Sequence, residues 1–189
     1  MGIEIKELTK SFGENTIFSG YSVNIPDGIC AVMAGSGIGK TTLLRILAGL
    51  DKDYGGSIRG IGSVSYCPQE ISLFPWYSAR KNLRIFLKHP PEADKMIDEA
   101  LDAFGLREAA DKKPWQMSGG MCQRVAILRA WLFDSDTVIL DEPFKGLDEK
   151  TKSDIISYMK KTLRPGRNVI FTTHSTSEAE QFANHCIKF

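Results

Sequence analysis

The stretch Ile29-Cys30-Ala31-Val32-Met33-Ala34-Gly35-Ser36-Gly37-Ile38-Gly39-Lys40-Thr41-Thr42 organises the rest of the chain. Its first five residues are a short apolar run, the pattern of a buried strand. Glycines follow, and then a helix from about Lys40 to Ala48 with Gly49 just after it. A glycine-rich loop between a buried strand and a helix can curl so that consecutive N–H groups point at phosphate oxygens. The helix N-terminus adds the positive end of its dipole. In that geometry Ala34, Gly35, Ser36, Gly37, Ile38 and Gly39 form the loop, Lys40 reaches the β- and γ-phosphates of a nucleotide, and Thr41 offers a hydroxyl to Mg²⁺. Thr42 adds a nearby donor. Ala34 stands where the strict pattern has glycine, a small departure where φ is negative.

Working outward, Ser63 to Cys67 reads as another strand, and the first 30 or so residues as short strands with turns at Ser11-Phe12-Gly13 and Pro26-Asp27-Gly28. From about Ser78 to Ala110 the pattern is helical: Ala93, Met96, Ile97, Ala100, Leu101 and Phe104 share a face, and Gly105 is a stop. Ser118 opens another helix. Val138-Ile139-Leu140 is a buried strand, and a helix runs from about Glu149 to Leu163 before Pro165-Gly166. Val169-Ile170-Phe171 is the next strand, with a helix near Ser177–Ala183 and a last strand at Cys186–Lys188. Alternating strands and helices predict a largely parallel sheet covered on both faces, with its chemistry at the carboxyl ends of the strands.

Two further segments carry chemistry. Thr137-Val138-Ile139-Leu140-Asp141-Glu142-Pro143 is an apolar strand ending in two acids. Asp141 suits the Mg²⁺ shell. Glu142, one residue on and so on the other side of an extended strand, is placed to orient or deprotonate a water. Met117-Ser118-Gly119-Gly120-Met121-Cys122-Gln123-Arg124 is a second glycine turn feeding a helix, able to hold an anion for the same reason as the first.

Two phosphate-type turns about 80 residues apart, in this order, resemble the nucleotide-binding subunits of ABC transporters. Their Leu-Ser-Gly-Gly-Gln signature is matched as Met117-Ser118-Gly119-Gly120-Met121. Met117 and Met121 depart from it, and Met121 removes a polar side chain. The resemblance covers nearly the whole chain. It implies a P-loop NTPase core of the ABC ATPase type: an α/β fold with a largely parallel sheet, N-terminal antiparallel strands and a helical subdomain at about 70–117. Residues 1–189 are then a single domain. It also implies that Phe12 stacks on adenine, though the residue alone reads equally well as core. Gln69, in Tyr66-Cys67-Pro68-Gln69-Glu70, touches Mg²⁺ and the water. Asp148 meets a partner subunit, and His174 senses the γ-phosphate. Lys40, Gln69, Glu142 and His174 are thus the catalytic set, and Ser118, Gly119 and Gly120 close on ATP held by a second copy.

The implied cofactors are ATP and Mg²⁺. The implied partners are a second ABC ATPase subunit, transmembrane permease subunits and a solute-binding protein, at the cytoplasmic face of the membrane. Ile71-Ser72-Leu73-Phe74-Pro75-Trp76 resembles importers of the nitrate, sulfonate and taurine type, with Phe74, Trp76 and Tyr77 as a groove for the permease or as packing of the helical region. The chain ends soon after His174, which implies that the family's last helices are missing and that free dimers are weak.

Composition agrees with this reading. The 189 residues carry 24 Lys and Arg against 23 Asp and Glu, a net charge of +1 that gives no electrostatic case for nucleic acid. No apolar run approaches the ~20 residues of a membrane helix, so membrane action would pass through a partner. The N-terminus has no secretory h-region. A non-transport ABC ATPase acting on a soluble or nucleic-acid partner is the alternative, but such proteins carry paired domains or a coiled-coil insertion, and neither occurs here. No Asn-Lys-x-Asp motif favours guanine. Of the four cysteines, Cys30, Cys67 and Cys186 lie in apolar stretches and read as small hydrophobes. Cys122, at a helix start, reads as an inert thiol or one of lowered pKa. None forms a C-x-x-C pair.

Overall fold

The structure is a computed structural model that describes residues 2–33, 35, 37–87 and 92–188. The chain divides into two compact units, the first formed by residues 1–66, 135–141 and 165–189, the second by 67–134 and 142–164.

The first unit holds two sheets. β1 (Ile3–Phe12) and β2 (Asn15–Ile25) form a long antiparallel hairpin, and β4 (Gly55–Arg59) pairs antiparallel on the other side of β1. The expected short N-terminal strands are thus two long ones. Phe12 closes β1, and the reversal falls on the next two residues, where Gly13 takes φ 58°. The second sheet contains β5 (Val64–Cys67), β6 (Thr137–Leu140), β7 (Asn168–Thr173), β3 (Ile29–Met33) and β8 (His185–Lys188), in that order. The pairings β6–β7, β7–β3 and β3–β8 are parallel. All residues of β6 and β7 are buried, as central parallel strands require, which explains their uninterrupted apolar reading. Helix α1 (Lys40–Leu47) buries Leu43, Leu44, Ile46 and Leu47 with Ile5, Leu8, Phe18, Val32 and Ile170 in one apolar cluster. It ends as predicted: Gly49 takes φ 69°, and the Leu50 N–H bonds back to the Arg45 carbonyl at 2.9 Å. Helix α6 (Thr176–Phe182) starts on Ser175, whose hydroxyl accepts from the Glu178 N–H.

The second unit is helical: α2 (Ala79–Arg84), α3 (Glu92–Ala103), α4 (Gly119–Leu132) and α5 (Glu149–Thr162). α3 buries Ala93, Ile97, Ala100 and Leu101, spaced as one face of a helix. Met96, expected on that face, is exposed. Gly105 (φ 61°) stops the helix, and the Leu106 N–H reaches the Leu101 carbonyl at 2.7 Å. Phe104 packs edge-on to Tyr158 of α5, with ring centres 5.8 Å apart. The hydroxyl of Ser118 and the carboxylate of Asp148 cap α4 and α5 by accepting from the N–H of Met121 and Thr151. The Thr151 backbone bond holds the Asp148 carboxyl below the ordinary carboxylate range.

Among the described residues no helix is long and apolar enough to cross a membrane. Cys186 departs from expectation: it lies exposed on the edge strand β8, while Cys30, Cys67 and Cys122 are buried. Burial pushes the Cys30 thiol up to about 12, with Cys186 nearby adding to the effect. Burial also raises Cys122 rather than lowering it, so the helix start does not activate that thiol.

Candidate functional site

Parallel pairing brings the carboxyl ends of β3 and β7 level, with Met33 opposite Thr173, while Leu140 of β6 lies opposite Phe171. The segments that follow these strands carry the predicted site residues of the first unit other than Phe12, which closes β1.

After β3, Gly37 and Gly39 take φ 80° and 97°. Gly39 precedes α1 in the left-handed region, and a Cβ there would lie 2.4 Å from Cγ2 of Ile17, so the position demands glycine twice over. Ala34 and Ser36 lie outside the described residues. Lys40 is buried at the first position of α1, and its Nζ donates to the Gly35 carbonyl at 2.8 Å. The ammonium is thereby folded back over the loop. Thr41 and Thr42 follow in the first turn of the helix, and Ile38 is exposed.

After β6, the buried Asp141 carboxylate accepts from two hydroxyls. Thr41 Oγ1 donates to Oδ2 at 2.8 Å, and Thr172 Oγ1 donates to Oδ1 at 2.7 Å. Thr41 and Asp141 are brought together as their pairing in the sequence reading requires. Thr172 has no exposed surface and was not foreseen. Its place follows from the β6–β7 register, which sets the residue after Leu140 beside the residue after Phe171. His174 sits exposed just past the end of β7.

Phe12 is 54% exposed at the end of β1, which rules out the core reading. Lys10 Nζ stands 4.7 Å from its ring centre and also binds Asp51 at 3.0 Å and Asp53 at 3.3 Å. Burial pulls the Lys10 ammonium down, but the two aspartates outweigh it and leave the group above the ordinary lysine value. In turn the Lys10 hydrogen bond holds the Asp51 carboxyl below its usual range. The aromatic ring therefore has an ordered cation on it.

The second unit carries the remaining residues. β6 ends at Leu140, and Glu142 takes φ 48°, so its direction is set by a turn rather than by strand alternation. Two groups donate to its Oε2: Gln69 Nε2 at 3.3 Å and Lys145 Nζ at 2.7 Å. The structure thus brings Gln69 and Glu142 together, and Lys145 is an addition. The expected glycine turn is instead the start of α4: Ser118 is its cap and Gly119 and Gly120 its first two residues, all three exposed, and a Cβ built on either glycine meets no atom within 4 Å. Arg124 fastens the following helix to the α3 end, with Nε on the Gly120 carbonyl at 3.3 Å and Nη1 on that of Phe104 at 2.7 Å. The side chain of buried Asn82 accepts from the Phe74 N–H and donates to the carbonyls of Phe74, Tyr77 and Ser78. That clamp presents Phe74 and Trp76 to solvent, Trp76 at 75% exposure.

A glycine loop between a buried parallel strand and a helix, with a hydroxyl of the helix on the acid that ends another strand, defines a nucleotide-phosphate-binding α/β domain. A family model described as ABC transporter matches residues 18–145. The chain is 34% identical to an aliphatic sulfonates import ATP-binding protein of Paracoccus denitrificans, over 98% of this chain and 78% of that protein. It is also 34% identical to a sulfate/thiosulfate import ATP-binding protein of Methylococcus capsulatus. That match covers 99% of this chain, which spans 60% of the relative's length. The fold superposes with TM-score 0.85 and 28% identity on the dimeric ATP-binding cassette MJ0796 in a post-hydrolysis state with ADP and Pi, over 99% of this chain and 94% of that one. This chain belongs to the ABC transporter family, as one of its ATP-binding ATPase domains.

Proposed function

We propose that the chain is the ATP-hydrolysing subunit of a solute importer and works as a pair of such domains docked on membrane permeases. The observation that carries this reading is the Thr41–Asp141–Thr172 hydroxyl–carboxylate set behind the glycine loop. Hard oxygen donors of this kind suit Mg²⁺. Thr41 and Asp141, both in the first unit, would hold Mg²⁺; the family resemblance gives Gln69 of the second unit as a further oxygen ligand. Bound there, the ion supplies charge neutralisation on the transferred phosphoryl group.

In this reading the loop N–H groups of residues 34–39 bind the phosphates, and Lys40 leaves the Gly35 carbonyl to meet them. Phe12, exposed and cation-backed, stacks on adenine. Glu142, joined to Asp141 by one peptide bond, accepts the proton of the attacking water, and His174 contacts the γ-phosphate. The exposed start of α4, Ser118-Gly119-Gly120, closes in trans on the nucleotide of the partner domain. Phe74 and Trp76 offer an apolar surface to a permease segment. A solute-binding protein would deliver the solute outside, and this chain would sit on the cytoplasmic face of the membrane.

The test is Glu142→Gln. Loss of the general base should cut turnover by about 10²–10⁴-fold while ATP still binds. Light scattering should show a monomer become a dimer on adding ATP without Mg²⁺. Wild-type turnover by the Gln variant would remove Glu142 from its role. A monomer with ATP demonstrably bound would remove the free sandwich dimer.

A further inference from the structure

The Glu142 carboxylate already has a cationic partner. Lys145 Nζ lies 2.7 Å from Oε2. Gln69 Nε2 donates to that same oxygen. An sp² carboxylate oxygen offers two lone pairs, so these two donors fill Oε2. Local backbone structure makes the pairing a built feature. Glu142 takes φ 48°, and the Lys145 N–H bonds to the Glu142 carbonyl at 3.3 Å. The Leu147 N–H bonds to the Phe144 carbonyl at 3.2 Å, and Gly146 takes φ 76° to allow it. Buried Phe144 and the bond from Gln123 Nε2 to the Pro143 carbonyl fasten the turn between them. The two side chains differ in setting: that of Glu142 is 13% exposed, that of Lys145 63%. The carboxylate is therefore held in place, while the lysine reaches it from solvent and can leave.

We propose that Lys145 is a latch on the general base: it occupies Oε2 of Glu142 in the resting protein and must release that oxygen before a water can take its place there. This rests on the assignment of Glu142 as the base. Lys145 is a positioning residue. It acts through Glu142, the one residue its ammonium is shown to bind among the described residues. Its charge and reach make the latch, so arginine should replace it and a neutral isostere should not.

Lys145→Met and Lys145→Arg separate the latch from a structural role. In steady-state ATP hydrolysis the Met variant should raise kcat about fivefold, the scale set by a partly exposed ion pair, with KM and ATP affinity unchanged. Lys145→Arg should return kcat to near the wild-type value. Equal or lower kcat in Lys145→Met, with ATP binding intact, would overturn the latch. So would an Arg variant as fast as the Met variant. Glu142→Gln run alongside distinguishes the two failures. If it is inactive and Lys145→Met is unchanged, only the latch falls. If it turns over normally, the assignment of the base falls first.

Discussion

Thr172→Val removes one oxygen from the interior of the first unit and nothing else of size. Valine keeps the volume and the branched Cβ that a buried strand favours. What it deletes is the donor to Asp141 Oδ1 at 2.7 Å, at a position with no exposed surface. A hydrogen bond to a charged group is worth about 1.5–3 kcal/mol, and no solvent reaches Thr172 to replace it. We expect a loss of about 2 kcal/mol. With a urea dependence of roughly 2 kcal/mol per molar for a domain of this size, the unfolding midpoint should fall by about 1 M. Thr41→Val deletes the donor to the other oxygen, Oδ2, but Thr41 is exposed and water can substitute, so its midpoint should fall less. A Thr172→Val midpoint within about 0.2 M of wild type would refute the argument. A larger loss in Thr41→Val than in Thr172→Val would also refute it.

Two further predictions test the buried polar groups and the thiols. Asp51 has a lowered folded-state pKa, so its contribution to stability is complete above its unfolded value of 3.8 and is lost as pH falls below that. In Lys10→Met, acid titration of stability by circular dichroism should show this part of the low-pH loss removed. Of the four cysteines Cys186 alone is exposed, and Cys30 is held near 12, so a thiol reagent at pH 8 should label one group quickly and three slowly. Cys186→Ser should abolish the fast phase.

The parallel sheet was legible because its central strands are apolar on both faces, and few other structures need such runs at that length. The catalytic-edge residues were legible because each follows one of those strands. β4 was not. Gly55-Gly56-Ser57-Ile58-Arg59 has one large apolar side chain, and its place is fixed by backbone pairing to β1. Gly56, at φ 95°, has a would-be Cβ only 2.4 Å from the Lys6 carbonyl, a closeness that no residue pattern announces. The exposure of Phe12 was undecidable for a related reason. Register shifts after Ile5 and Leu8 break the alternation of β1, so counting by twos from its buried end does not reach Phe12. Thr172 and Lys145 were missed because each depends on a register or a turn rather than on a motif.

The two acids at 141 and 142 show how one peptide bond separates two physical problems. Asp141 belongs to the first unit and Glu142 to the second. Asp141 is buried and receives two hydroxyl donors, one on each carboxylate oxygen. In the metal-binding role proposed for Asp141, such an oxygen exchanges a hydroxyl hydrogen for a cation at little cost in geometry. Glu142 is placed by a left-handed backbone that a non-glycine residue adopts at a cost of about 1 kcal/mol. The strain persists because the turn through Lys145 and the Gln69 contact hold it. A strand continued through residue 142 would have spared that cost, but the carboxylate would then have followed the pleat instead of Gln69 and Lys145. The departure from strand geometry is therefore the feature that makes the second acid available for a role different from the first.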